Sequence, residues 1–334
     1  MLKYSREMKE MYPLLLKAPV KDYLWGGRKL IEEYGFESSA EKAAEAWVLS
    51  CHKDGESVIK NGTFSGRRLG EVLAEWGKAA LGKNAERFAY FPILIKLIDA
   101  KDRLSVQVHP EDAYALKNEG EYGKTEMWYV VDCEPDAKLI YGFSKPITKE
   151  EFAARIRDNT LEEVCNQVPV KKGDVFFIAA GTMHAIGKGI LIAEVQQNSN
   201  TTYRVSDYGR LGADGKPRAL HIEQALDVTV TAPPKYPYGA VGNEASYDFG
   251  TVRALADCPY FKADLLRLNG TAELGKPDSF ESIVVLGGEA VVQCGKEKLS
   301  LKKGDSLFVP ATVSGTVSGN AELLCSSVGA TEKK

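Results

Sequence analysis

The chain has 334 residues, enough to bury a substantial core and to divide into two domains. Its 43 basic and 46 acidic residues leave a net charge of −3, which excludes a strongly basic chain, so nothing in the balance points to nucleic acid or a membrane surface as partner. Six scattered cysteines with no C-x-x-C pair, no secretory apolar segment at the N-terminus and no apolar run long enough for a bilayer predict reduced thiols and a cytoplasmic protein.

In chain order, DYLWGGRKL reads as a strand and turn, because Gly26-Gly27 breaks an aromatic and apolar run. AEAWVLSCHKDGESVIKNG (44–62) reads as a hairpin about Asp54-Gly55, with His52 solvated beside the turn. Leu69, Val72, Leu73, Trp76, Ala80 and Leu81 recur at helical spacing and predict a helix over 66–83. FPILIKLIDAKDRLSVQVHP follows as two strands around Asp99–Asp102. Lys96 interrupts its apolar run, so a buried lysine there raises the question of which anion it meets. EMWYVVDCEPDAKLIYGF reads as a hairpin about Glu134-Pro135. Thr148 with Glu151, and Thr160 with Glu163, give two capping boxes and so two short helices within 146–168. A Pro, Gly and Tyr cluster at 233–246 marks a domain junction, giving domains 1–235 and 236–334.

The stretch Leu104-Ser105-Val106-Gln107-Val108-His109 alternates. An extended strand would place Ser105, Gln107 and His109 on one face and the three apolar residues on the other. An ordinary half-buried strand turns such polar residues to water. The chain has only four histidines, however, and two of them have ligand-like company: His109 near Gln107, and His184 after a turn in FFIAAGTMHAIG. With Glu126, these residues offer one amide oxygen, two imidazoles and one carboxylate, a set that zinc accepts with room left for water or substrate.

An internal echo links the centre of the chain to its tail. Lys171-Lys172-Gly173-Asp174-x-x-Phe177 matches Lys302-Lys303-Gly304-Asp305-x-x-Phe308 at an offset of 131, and Glu126–Val130 aligns with Glu281–Val285 at 155. The two offsets differ by about the length of the 146–168 insertion. In the ungapped pairing Gly315 stands where His184 does, and no histidine follows His221, so the second copy is predicted to be structural and free of metal. Short strands, Gly-rich turns and G-D-x-x-F followed by His predict a mainly β protein of two cupin-type jelly-roll β-barrels, with short helical insertions.

Together FPILIKLIDAKDRLSVQVHP, GKTEMWYVVDCEPDAKLIYG, GTMHAIGKGILIAEVQQNSNTTYRVSDYGR and AEAWVLSCH resemble the class I (type I) mannose-6-phosphate isomerases in their shorter bacterial form. The resemblance covers most of the chain and is strongest over 90–210. It implies one zinc per chain on Gln107, His109, Glu126 and His184, and a catalytic arginine at Arg204. It also implies a phosphate-contacting serine and lysines at Ser105, Lys96 and Lys124, and an acidic active-site residue at Glu194. Longer members carry a large helical domain where this chain has only 146–168, so wall contacts from that domain do not transfer.

The implied substrate is a small sugar phosphate, with mannose 6-phosphate and fructose 6-phosphate interconverted by proton transfer through a cis-enediol. Removing a proton beside a carbonyl builds charge on oxygen, which a cation and the fixed fork of a guanidinium stabilise. Glu194, Lys124 and a zinc-bound water stay open as the base. Two other classes share this pattern. One is a cupin-type non-haem iron oxygenase, which needs no phosphate cluster and rarely a neutral Gln ligand. The other is a non-catalytic sugar-binding cupin, in which some of the five site residues should be lost. Nothing in the pattern specifies an oligomeric state.

Overall fold

The computed structural model describes residues 10–212 and 215–330. The chain is mainly β and forms two compact units that interleave along the sequence. One unit is drawn from Pro19–Gly55 and Ile93–Asn243. The other takes the segment ending at Ala18, Glu56–Pro92 and the chain from Glu244 onward. The uninterrupted division at 235/236 is thereby corrected. Early segments are recruited to the later unit because Leu14–Lys17 pairs with both Ser306–Val309 and Val58–Ile59. The expected 44–62 hairpin is reduced to its tip, where Cys51–His52 pairs with Gly55–Glu56, since Glu45–Leu49 pairs instead with Val20–Lys21 and Ile93–Ala100.

The first unit carries two main sheets. The six-stranded one runs Val175–Ile178, Glu126–Cys133, Ile190–Gln197, Ile93–Ala100, Glu45–Leu49, Val20–Lys21. The five-stranded one runs Cys165–Pro169, Lys138–Phe143, His184–Ala185, Val106–Val108, Tyr203–Ser206. Glu126–Cys133 and Lys138–Phe143 therefore belong to different sheets and not to one hairpin. An apolar core containing Trp128, Ile192, Leu139, Tyr141 and Val168 joins the two sheets face to face. Among the described residues no sheet closes on itself through hydrogen bonds, so neither unit is a closed barrel in that sense.

The outer face of the five-stranded sheet is covered by helix. Val106, Val108, Ile140 and Phe143 pack with Phe152, Leu161, Val164 and Ala225. Phe152 lies on helix Lys149–Arg157, whose Thr148 cap accepts a hydrogen bond from the Glu151 N–H at 3.0 Å, an arrangement worth about 1 kcal/mol. Thr160 makes no such side-chain cap, and Leu161–Val164 is only a 3-10 turn. The helix expected over 66–83 breaks into Leu69–Trp76 and Lys78–Leu81 at Gly77, whose φ of +71° suits glycine.

Alternation holds from Val106 onward but fails one turn earlier. The strand starts at Val106, and Leu104 packs in the inter-sheet core with Ile98, whereas Val106 and Val108 face the helices. The Gly26-Gly27 pair is explained by close approach: a Cβ on Gly26 would lie 2.6 Å from the Ala44 side chain, and one on Gly27 would lie 2.2 Å from the Asp99 carboxylate. This lets the Tyr23–Trp25 loop lie against the sheet, where both aromatic residues line the cavity described next.

Candidate active site

A cavity of about 300 Å³ opens in the first unit and is lined by Lys96, Ser105, Gln107, Lys124, Glu194 and Arg204. Strand pairing brings these residues together from distant parts of the sequence. Lys96 stands opposite Glu194, Glu194 opposite Trp128, and Gln196 opposite Glu126 in the six-stranded sheet. In the five-stranded sheet Gln107 is flanked by His184 on one side and Arg204 on the other.

His109, Glu126 and His184 converge with their ligand atoms within 4.8 Å of one another, all buried. His109 Nδ1 is 2.9 Å from the Thr201 carbonyl and His184 Nδ1 is 2.8 Å from that of Thr182. Those acceptors assign the ring protons to Nδ1 and leave each Nε2 with a lone pair directed at Glu126. His184 Nε2 lies 3.3 Å from Glu126 Oε1, and neither atom has a hydrogen-bond partner. Two buried acceptors facing each other are what a divalent cation satisfies, so the three side chains fit a metal ion. Gln107, paired with His184 on the neighbouring strand, lines the cavity, whereas the three clustered side chains lie behind its wall.

Burial lowers both imidazoles, His184 to about 3 and His109 well below its ordinary value, so both are neutral near pH 7 and able to act as ligands. Burial and the neighbouring Glu194 push Glu126 up to about 7, against the pull of Lys124. Lys124 Nζ touches Glu126 Oε2 and lies 3.0 Å from His109 Nε2.

The anion that Lys96 meets is a pair of carboxylates. Its ammonium lies 3.5 Å from Glu45 and 3.6 Å from Glu194, and 5.0 Å from the Trp47 ring centre. Burial would lower Lys96, but Glu45 and then Glu194 reverse that and raise it. Glu194 accepts a 2.9 Å hydrogen bond from Trp128 Nε1 through one oxygen; its other oxygen has no hydrogen-bond partner and lies 3.8 Å from Lys124. Burial would raise Glu194, but Lys124, Lys96 and the indole N–H together hold it below the usual carboxylate range.

Arg204 donates through Nη1 to the Ala219 carbonyl at 2.9 Å, while its buried Nε has no partner. Its backbone N–H donates to His221 Nδ1 at 3.1 Å, which gives the last histidine a supporting place. Ser105 is on the cavity wall and buried.

The wall also includes Glu45, Tyr23, Trp25, Asn200 and Arg218, which lie outside the set expected from sequence. Glu45 carried a readable signal, an acid inside the apolar run AEAWVL that mirrors the lysine inside FPILIKLI. Arg218 carried none, because its position depends on a two-oxygen clasp by Asp207, with the Arg218 Nε bond at 2.7 Å. His52 is corrected from solvated to buried, 5% exposed, between Asp54 and Glu121.

A family model described as "Phosphomannose isomerase type I, catalytic domain" matches residues 14–129, and one described as "Mannose-6-phosphate isomerase, cupin domain" matches 251–328. The chain is 39% identical over 315 residues to a mannose-6-phosphate isomerase of Streptococcus mutans, covering 94% of this chain and 98% of that one. It is 40% identical over 300 residues to one from Bacillus subtilis, covering 89% and 93%. A crystal structure of a Bacillus subtilis mannose 6-phosphate isomerase superposes with a TM-score of 0.86 at 34% identity, over 95% of this chain and 99% of that one.

Proposed function

Because the chain belongs to the type I mannose-6-phosphate isomerase family, we propose that its cavity interconverts mannose 6-phosphate and fructose 6-phosphate by moving a proton between carbons 1 and 2 through a cis-enediol. Family membership decides against the oxygenase and the non-catalytic sugar binder. The observation that carries the proposed chemistry is Glu194: a buried carboxylate kept ionised by two ammonium groups, with one oxygen fixed by Trp128 and the other near both ammonium groups but without a hydrogen bond at the cavity wall.

In this reading Glu194 takes the proton from carbon 2 of the open-chain aldose. The C–H electrons form the carbon 1–carbon 2 double bond, and the carbonyl oxygen gains charge and then a proton, giving the enediol. Returning the carried proton to carbon 1 while the carbon 2 hydroxyl loses its own yields the ketose. Trp128 and Lys96 fix where the base stands, which places it within reach of the proton it removes. Arg204 directs a guanidinium, already held through Nη1, toward the developing oxygen charge. Lys124 is the second candidate for handling a proton, at the oxygens. Ser105 and Lys96 are the proposed phosphate contacts, with Arg218 a further cation on the same wall.

Gln107, His109, Glu126 and His184 would hold one zinc ion per chain, which when bound supplies a positive charge beside the reacting oxygens. The two-copy cupin arrangement is also our reading, supported by matched strand pairing in the two units. A cytoplasmic setting is supported by six free cysteines, and no helix among the described residues is long and apolar enough to cross a membrane.

A coupled assay for fructose 6-phosphate formed from mannose 6-phosphate, before and after chelation, tests the reading. Isomerisation in heavy water should also leave deuterium at carbon 2 of mannose 6-phosphate formed from the ketose, increasing over repeated turnover. Full turnover by metal-stripped protein overturns the metal centre. No deuterium at that carbon after prolonged equilibration overturns the enediol.

A further inference from the structure

The centre is held from outside by a polar network that catalysis as described above does not use. Glu121 lies just past helix Asp112–Asn118, with its side chain 15% exposed. Its Oε2 accepts from the Asn200 N–H at 3.2 Å and from the Thr201 hydroxyl at 3.4 Å. Its Oε1 contacts the Lys53 ammonium and lies 3.4 Å from His52 Nε2. The Asp54 N–H donates to His52 Nδ1 at 3.1 Å, so the imidazole proton sits on Nε2 and faces Glu121. Burial pushes the Glu121 carboxyl up, but the Lys53 ammonium and the Asn200 N–H outweigh it and hold the group below the usual range.

What Glu121 grips is connected to the centre. Thr201 is the residue whose carbonyl accepts from His109 Nδ1, and Asn200 lines the cavity. Asn200 Nδ2 also donates to Asp54 Oδ2 at 2.9 Å, which makes a separate tie to the 51–55 turn. Partners of a ligating histidine fix its ring orientation and basicity, and their loss commonly weakens metal binding about 10–100-fold.

We propose that Glu121 is a positioning residue: it clamps Asn200–Thr201 so that the Thr201 carbonyl holds the His109 ring with Nε2 toward Glu126. This rests on the reading of His109 as a metal ligand. The clamp explains a half-buried acid and a buried histidine outside the cavity, and it assigns the Asp54-Gly55 turn a task beyond chain reversal.

The test is the rate at which zinc passes from the full-length holoenzyme to an excess of a chromophoric chelator. Glu121→Ala is expected to release zinc about tenfold faster than the wild type. Glu121→Gln, which keeps an oxygen for the Asn200 N–H, should fall between the two. Asp54→Ala removes the second tie and the 3.6 Å contact with His52 Nδ1 but leaves the Glu121 grip on Asn200–Thr201, and should leave release within about twofold of the wild type. Release by Glu121→Ala at the wild-type rate overturns the clamp. So does equal acceleration in Asp54→Ala, which would mean that any loosening of the turn suffices. If Glu121→Ala fails to fold, Glu121→Gln decides alone: faster release than the wild type supports the clamp, and an unchanged rate overturns it. A wild-type protein that carries no zinc refutes the metal centre first, and the clamp with it.

Discussion

The two units share one stretch of strand pairing and differ within it at a few side chains. Glu126 stands opposite Ile178 and Gln196; Glu281 stands opposite Val309 and Ser327 in the same register. The Lys-Lys-Gly-Asp turns match bond for bond. Asp174 and Asp305 each accept a 2.9 Å hydrogen bond from the backbone three residues earlier, and Gly173 and Gly304 have φ values of 91° and 93°. Within that shared frame Cys325 takes the position of Glu194, and Asp264 that of Lys96. Glu281 lies 3.3 Å from Lys276, and burial pushes the Cys325 thiol well above its ordinary value. Turns and pairing are therefore alike in the two units over this stretch, whereas the candidate site residues stand in one unit and not at the matching positions of the other.

The sharpest way to break the comparison is to make the first copy resemble the second. His184→Ala should remove bound zinc and turnover together, since a ligand is lost from a buried set. Metal analysis beside the coupled assay checks this, and stoichiometric zinc with full turnover would refute the ligand set. Arg204→Ala should come next, lowering kcat about 10²–10³-fold with little change in KM. A normal kcat with raised KM would move Arg204 to substrate binding. Lys96→Met removes an ammonium that keeps Glu194 below the usual range, so the Glu194 pKa rises. Ionised Glu194 is then confined to higher pH, and the acid limb of kcat/KM should move upward. An unmoved limb with raised KM would leave Lys96 as a phosphate contact alone.

Smaller effects sharpen the contrast from the other side. Glu281→Gln should leave zinc content and rate unchanged and cost on the order of 1 kcal/mol or less, because its partner Lys276 is 40% exposed. Gly173→Ala and Gly304→Ala should each cost about 1–2 kcal/mol in denaturant melts, since both require a backbone that L-residues avoid. Equal costs are expected, and a large difference would show that the two turns do not share one role.

The sequence by itself determined a good deal. Short-range chemistry was legible wherever a residue's role depends on its immediate neighbours. The Thr148 cap, the duplicated Gly-Asp turns and the strands at Ile93–Ala100 and Glu126–Cys133 are all of this kind. The candidate metal set was legible too, because few histidines exist and two stand in ligand-like company. Only the tertiary structure decided which strands pair. Periodicity fixes the face a side chain occupies but not the strand beside it, so Glu45–Leu49 and Val58–Ile59 looked like one hairpin and belong to different sheets. The partners of Lys96 lie at Glu45 and Glu194, far along the chain in opposite directions, and Coulomb attraction through a buried sheet is set by pairing distance and not by sequence separation. Burial of His52 and the placing of Arg218 had the same origin. Each depends on a carboxylate, Glu121 or Asp207, that only the folded chain brings within reach.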